Sequence, residues 1–134
     1  MSAEVAARAA VIAALKADRA LMDGLNGLFD GEPGRASVPY AFIDACIGAD
    51  WGGKAMDGRE VRLSLALRVG DEAAARLGGM IGRVDVAMAG MGVHDGWRIV
   101  TARLARSRVA RDEGKSPVGW RAVIDYRLRM VREG

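Results

Sequence analysis

The sequence has few of the residues from which metal sites and catalytic centres are built. Its 134 residues include one histidine, His94, and one cysteine, Cys46. A zinc site with two histidines or a cysteine cluster is therefore excluded, and a Ser-His-Asp triad would depend on His94 alone. A single cysteine cannot form an internal disulfide, so the sequence predicts a reducing compartment, with no metal and no cofactor.

Aromatic residues and long apolar runs are also scarce. Only 5% of the residues are aromatic, and the apolar N-terminal stretch is interrupted by Glu4 and Arg8. We therefore predict neither a targeting segment nor contact with a membrane. With 51% hydrophobic and 28% charged residues, the chain has enough apolar material for one core. The sequence predicts a single domain over residues 1–134.

Charge is distributed unevenly along the chain. The net charge is +3, and 17 of the 20 basic residues are arginine. Residues 1–97 contain 10 basic and 13 acidic residues, whereas residues 98–134 contain 10 basic and 4 acidic residues. The last quarter of the chain is therefore strongly basic, which indicates a surface for an acidic partner.

Two helices are predicted. Ser2 can cap a first helix in an alanine-rich stretch that continues without glycine or proline up to Gly24, with Asp18 at the border of its apolar face. The second helix is predicted from Asp71 to Met88. Its acidic first residues suit the positive end of a helix, and apolar residues follow at helical spacing.

Four segments have the composition of strands: residues 40–48, 59–69, 97–109 and 119–130. The second and fourth segments alternate strictly, which predicts half-buried strands. Their apolar positions are Val61, Leu63, Leu65, Leu67 and Val69, and then Trp120, Ala122, Ile124, Tyr126, Leu128 and Met130. The order α-β-β-α-β-β predicts an α+β fold, in which a four-stranded antiparallel sheet has both helices on one face and arginines on the other.

The phrase VPYAFIDACIGADW, followed by a hairpin, an alternating strand, a helix and two further strands, resembles the phage tail-completion or tail-terminator family. Versions carried by gene transfer agents are included, and the lambda tail terminator is a similar protein. The resemblance covers nearly the whole chain, but LALRVGDEAAA departs from the tryptophan that many members have near the end of the second strand. It implies a structural protein without catalysis that forms a ring, commonly of six subunits.

The same resemblance implies partners and a location. The ring would cap the tail tube, stop its growth and join it to the head connector or stopper protein. The protein would be made in the cytoplasm of the producing bacterium and end in the virion tail at the head-tail junction. Loops at 24–38 and 48–58 are the segments expected to contact the tube or the connector.

Eight residues are candidates for contact with a partner or for lining the ring's opening: Trp51, Lys54, Arg98, Arg106, Arg108, Arg121, Arg127 and Arg129. Alternation places Arg106 and Arg108 on the same side as Arg98, and Arg103 on the opposite side. The arginines either contact passing DNA without reading its sequence, or form a solvated face with cross-strand pairs to Asp125 and other acids. Trp51 either anchors a partner or folds back over the sheet edge.

Two other functions remain open from the residues alone. The basic last quarter is compatible with a nucleic-acid-binding module, although aromatic residues for base stacking are nearly absent from it. A small enzyme would have to use Asp44 or Asp125, the acids placed in strands. We interpret His94, beside Asp95, as an ordinary turn residue, and the glycine pairs lack the context of a phosphate-binding loop.

Overall fold

A computed structural model describes residues 2–133, which form one mixed sheet and a layer of helices. The helices are α1 (Ala3–Ala17), α2 (Arg19–Asp23) and α3 (Arg76–Ala89), with a 3₁₀ turn at Asp71–Ala73. The strands are β1 (Gly27–Phe29), β2 (Tyr40–Asp50), β3 (Gly58–Gly70), β4 (Val93–His94), β5 (Trp97–Asp112) and β6 (Gly119–Arg132). Their order across the sheet is β1-β2-β3-β6-β5-β4.

The predicted α+β class is confirmed, but the prediction of four strands is wrong. The four long strands β2, β3, β5 and β6 form the centre of the sheet, and all neighbours among them are antiparallel. The short strand β1 pairs in parallel with the start of β2, and β4 pairs with the start of β5. Strands of two or three residues are too short to show a hydrophobic period, so the sequence did not reveal them.

The N-terminal helix is shorter than predicted, because Asp18 divides it. The Ser2 hydroxyl accepts a hydrogen bond from the Val5 amide and starts α1. Asp18 has extended backbone angles, and its carboxylate accepts a hydrogen bond from the Leu21 amide, which starts α2. Arg83 of α3 donates to the same carboxylate at 2.7 Å. The aspartate therefore ends one helix, caps the next and links both to α3.

The main core lies between the sheet and the helices. Apolar residues of α1 and α3 pack with the alternating apolar positions that the sequence predicts for β3 and β6. Burial is complete for Val11 and Leu15 of α1 and for Val84 of α3. Since α1 and α3 cover the same side of the sheet, the other side is left for the arginines.

No helix within residues 2–133 is long and apolar enough to cross a membrane.

Candidate functional site

The sheet side turned away from the helices has arginines on three adjacent strands, and we call it the arginine face. It is built by alternation, since every second residue of β3 and β6 is buried in the core and the residue between points the other way. Its arginines are Arg62 and Arg68 on β3, Arg121, Arg127 and Arg129 on β6, and Arg98, Arg103, Arg106 and Arg108 on β5.

Two bulges in β5 correct the predicted side of Arg103. The register shifts between Ile99 and Thr101 and again between Leu104 and Arg106. Each bulge inserts one residue and so reverses the alternation. Arg103 therefore pairs with Arg127 and joins the arginine face, where simple alternation had placed it on the opposite side.

Three arginines form a row across the sheet. Arg62 of β3 pairs with Arg127 of β6, which pairs with Arg103 of β5. Within residues 2–133, neither Arg103 nor Arg127 has an ion pair, and Arg62 reaches only Glu60, at 3.7 Å. Like charges directly opposite one another destabilise a sheet. This row therefore suits an anionic partner, and the sequence reasoning missed Arg62 and Arg103 as members of the site.

Four of the predicted arginines are instead neutralised by carboxylates. Arg106 lies 3.0 Å from Asp125, and Arg129 lies 3.1 Å from Glu60. The remaining pairs join Arg98 to Glu133 at 3.5 Å and Arg121 to both Asp112 and Glu32 at 3.1 and 3.3 Å. Arg108 has no ion pair in the described part of the chain. The cross-strand pairing predicted for this face thus applies to these four arginines, while Arg103, Arg108 and Arg127 have no ion pair within residues 2–133.

The loop between β2 and β3 holds the other two candidates. The Trp51 ring is half-buried, and the guanidinium carbon of Arg129 lies 5.2 Å from the ring centre. Trp51 is thus folded against the sheet, where it supports Arg129 by a cation-π contact. Lys54 is exposed at the turn, and no ion pair links it to another residue of the described chain.

The segment between β1 and β2 folds over one end of the arginine face. Phe29 and Val38 pack on Tyr40 and Phe42, which form a second apolar cluster. Glu32 accepts hydrogen bonds from Lys115 and Arg121, which are 83 and 89 residues away in the sequence. The hydrogen bond from Lys115 is the main reason that the pKa of Glu32 lies below its ordinary value. These contacts attach to the sheet a segment that lies in the loop predicted to contact the tube or the connector.

Arg68 pairs with Tyr40 in the sheet and is almost completely buried. Its side chain is 2% exposed, its Nε lies 3.0 Å from Asp112 Oδ2, and its Nη2 donates to the Pro117 carbonyl at 2.8 Å. Alternation predicts an exposed position for Arg68. Its ion pair and its hydrogen bond join it instead to the end of β5 and to the turn between β5 and β6.

The chemical groups considered for catalysis are dispersed. His94 lies in β4, and its Nε2 atom is 3.5 Å from a carboxylate oxygen of Asp95. Asp44 is exposed on β2, near the edge of the sheet. Asp125 accepts a hydrogen bond from the Ser64 hydroxyl. Burial raises the pKa of the Cys46 thiol to about 11, so it is a poor nucleophile near neutral pH. Among residues 2–133, no three His, Cys, Asp or Glu side chains come close enough to hold a metal ion.

Comparison with known proteins gives one family and several related folds. A protein in the virion of a native gene transfer agent particle shares 22% identity, with a TM-score of 0.82 over 98% of this chain and 99% of that one. The gp17 protein of bacteriophage SPP1 shares 19% identity, with a TM-score of 0.67 over 94% and 89% of the two chains. No curated protein sequence matches significantly. The family model of tail completion protein gp17 matches residues 9–130, and the chain therefore belongs to that family.

Proposed function

We propose that this protein terminates the tail of a phage-like particle as a ring that caps the tail tube and joins it to the head connector. The observation that carries the proposal is the family match over residues 9–130. The resemblance of the fold to a gene transfer agent virion protein and to SPP1 gp17 supports it. Assembly takes place in the cytoplasm of the producing bacterium, and the finished ring stays in the tail.

The mechanism is geometric rather than chemical. Subunits dock on the last ring of tube protein, cover the surface on which the next ring would add, and present a new surface to the connector. The loop at 51–57 is the best placed for such contact. It joins two long strands of a rigid sheet, and both Lys54 and Met56 are exposed on it. Loops on a rigid scaffold are the usual carriers of binding function.

Tail-tube length tests this function directly. Purified tube subunits are polymerised with increasing amounts of the protein, and tube lengths are measured by electron microscopy. We expect a narrower and shorter length distribution as the protein approaches saturation. Unchanged tube lengths at saturating protein would overturn the capping role.

A pair of charge variants tests the loop assignment in the same assay. Lys54→Glu changes the exposed loop, whereas Lys16→Glu makes the same change on an exposed position of α1. We expect Lys54→Glu to raise the amount of protein needed for capping and Lys16→Glu to leave it unchanged. Equal behaviour of the two variants would exclude Lys54 from the contact.

A second role, contact with passing DNA, is favoured by the row of Arg62, Arg127 and Arg103. These cations lie side by side, and within residues 2–133 only Arg62 among them has an ion pair, with Glu60 at 3.7 Å. The lining of a groove on the same face includes Arg62, Arg106 and Asp125. Arginines that meet phosphates bind without reading base sequence. We propose that this face lines or borders the ring's opening. A free-standing nucleic-acid-binding module would use the same row, but family membership favours the tail role.

A further inference from the structure

The sheet has two free edges. On one side, β1 covers only Tyr40–Phe42 of β2, and Arg8 donates to the carbonyls of Ile43 and Asp44. On the other side, β4 covers only the first two residues of β5, and the Ile99 amide donates a hydrogen bond to the Gly92 carbonyl. Within the described chain, residues 45–50 of β2 and 100–112 of β5 therefore have no strand beyond them. Such edges present unpaired backbone groups to a further strand.

The two free edges lie at the same level and in compatible directions. Ile47 of β2 pairs with Arg62, and the row continues through Arg127 to Arg103 of β5. Each step from β2 to β3, β6 and β5 is antiparallel, so β2 and β5 run in opposite directions. A second copy placed beside the first in the same orientation therefore sets its β2 antiparallel to β5, a direction in which the sheet can continue.

Strand β5 is highly exposed to solvent, although it pairs with β6 along its whole length on one side. Residues 103–111 are all exposed, on both faces of the sheet. Leu104 and Val109 are among them, with 45% and 49% of their surface accessible. On the other edge Ile47 is 68% exposed. Each free edge thus offers an apolar side chain that a neighbouring subunit would remove from water.

The charges of β2 and β5 determine which edges of two copies can pair. Strand β2 contains Asp44 and Asp50 and no basic residue, whereas β5 contains five arginines and one aspartate. Within the described chain, neither aspartate has an ion pair, and the same holds for Arg103 and Arg108. Pairing β5 with another β5, or β2 with another β2, would oppose like charges, which is unfavourable. Pairing β5 with β2 brings a basic edge against an acidic one, so the contact between copies is head-to-tail rather than two-fold symmetric.

We propose that β5 of one subunit pairs with β2 of the next copy of this chain, so that one sheet continues from subunit to subunit around the ring. The inference rests on the ring of the proposed function and specifies how its subunits join. Bulges and arginines keep β5 from pairing indiscriminately, and the acidic β2 edge is the partner that this charge pattern admits.

Amide hydrogen exchange measures strand pairing directly. Exchange is compared between the free chain and the chain bound to purified tail tubes. We expect slower exchange at 45–50 and at 100–112 in the bound form, and no change at the amides of β6, which are paired within the subunit. Protection of β5 with β2 unchanged would assign the edge to another protein and overturn the inference.

Charge reversal tests the selectivity. Asp44→Arg with Asp50→Arg, or Arg103→Asp with Arg108→Asp, gives the residues without ion pairs on the two edges the same sign, and we expect about tenfold weaker subunit association at low salt. Combining all four substitutions in one chain restores opposite signs at these positions on the two edges and should restore association. Circular dichroism of each variant checks folding, and failure of the four-fold variant to recover while folded would contradict the charge argument.

The failure of this inference is distinguishable from failure of the proposed function. If tube length is controlled but both edges exchange at the same rate free and bound, the ring joins by another surface and the edge pairing is wrong. If tube length is not controlled at all, the capping role is wrong, and the pairing falls with it.

Discussion

The Nε atom of Arg68 lies 3.0 Å from the Oδ2 atom of Asp112, although β6 separates the strands that carry them. Arg68 is the one charged residue buried within residues 2–133. Its partner also receives a hydrogen bond from Arg121 at 3.1 Å. The ion pair closes one end of the arginine face across three strands, and removing the carboxylate leaves a buried cation without its counter-charge.

Asp112→Asn should therefore destabilise the protein by about 3 kcal/mol, measured by urea unfolding. Asp71→Asn is the matched control, because Asp71 pairs with Arg111 while both side chains are largely exposed. Exposed pairs contribute less than about 1 kcal/mol, so the control should change little. Similar losses in the two variants would show that burial of Arg68 does not raise the cost.

Gly119 permits a close approach of β3 and β6 at the end of their ladder. A Cβ atom built on Gly119 would clash with the backbone carbonyl oxygen of Val69. We expect Gly119→Ala to cost about 2 kcal/mol in unfolding free energy, because the clashing atom belongs to the backbone of a paired strand. Gly114→Ala in the adjoining turn is the control, since a Cβ there meets nothing within 4 Å. Equal stability of the two variants would contradict the close approach.

The lowered pKa of Glu32 predicts that the stability of the folded protein depends on pH in the acid range. The pKa of Glu32 in the folded protein lies below the ordinary value of 4.5, mainly because Lys115 donates a hydrogen bond to it. As the pH falls, Glu32 therefore takes up a proton in the unfolded chain before it does so in the folded protein. The stabilisation from this carboxylate is complete above the ordinary pKa and is lost as the pH falls through the lower pKa of the folded protein. Glu32→Gln should reduce the loss of stability in acid below pH 4.5, as followed by thermal unfolding.

The control for that measurement is Glu72→Gln, which also removes one negative charge. Glu72 has no ion pair in the described part of the chain. We therefore expect the stability of Glu72→Gln to fall in acid as that of the unaltered protein does. If Glu32→Gln loses as much stability in acid as the unaltered protein, the contact between Glu32 and Lys115 does not persist in solution.

The row of Arg62, Arg103 and Arg127, of which only Arg62 has an ion pair in the described chain, predicts a salt-dependent affinity for duplex DNA. Arg62→Ala, Arg103→Ala and Arg127→Ala together should lower the slope of log affinity against log salt by up to about 0.9 for each phosphate that is no longer bound. The paired arginines supply the control, Arg98→Ala, Arg106→Ala and Arg129→Ala, which removes the same total charge. We expect the control to have the smaller effect, and equal slopes would assign the binding to net charge alone.

The sequence by itself determined the class of the fold and the core. Strict alternation in β3 and β6 identified their buried residues, because a period of two is fixed by strand geometry and the chain needs an apolar side. The order of the long elements followed from the same patterns and carried the resemblance to the tail-completion family, which the family model confirms.

Only the tertiary structure decided which arginines are free. The two bulges in β5 moved Arg103 into the row with Arg127, and Arg68 is buried in contact with Asp112 and Pro117. Neither event has a local signal, because a bulge depends on the partner strand and the burial of Arg68 on residues far away in sequence. The two free edges of the sheet are decided in the same way, since a strand becomes an edge only when the order of all the strands is known.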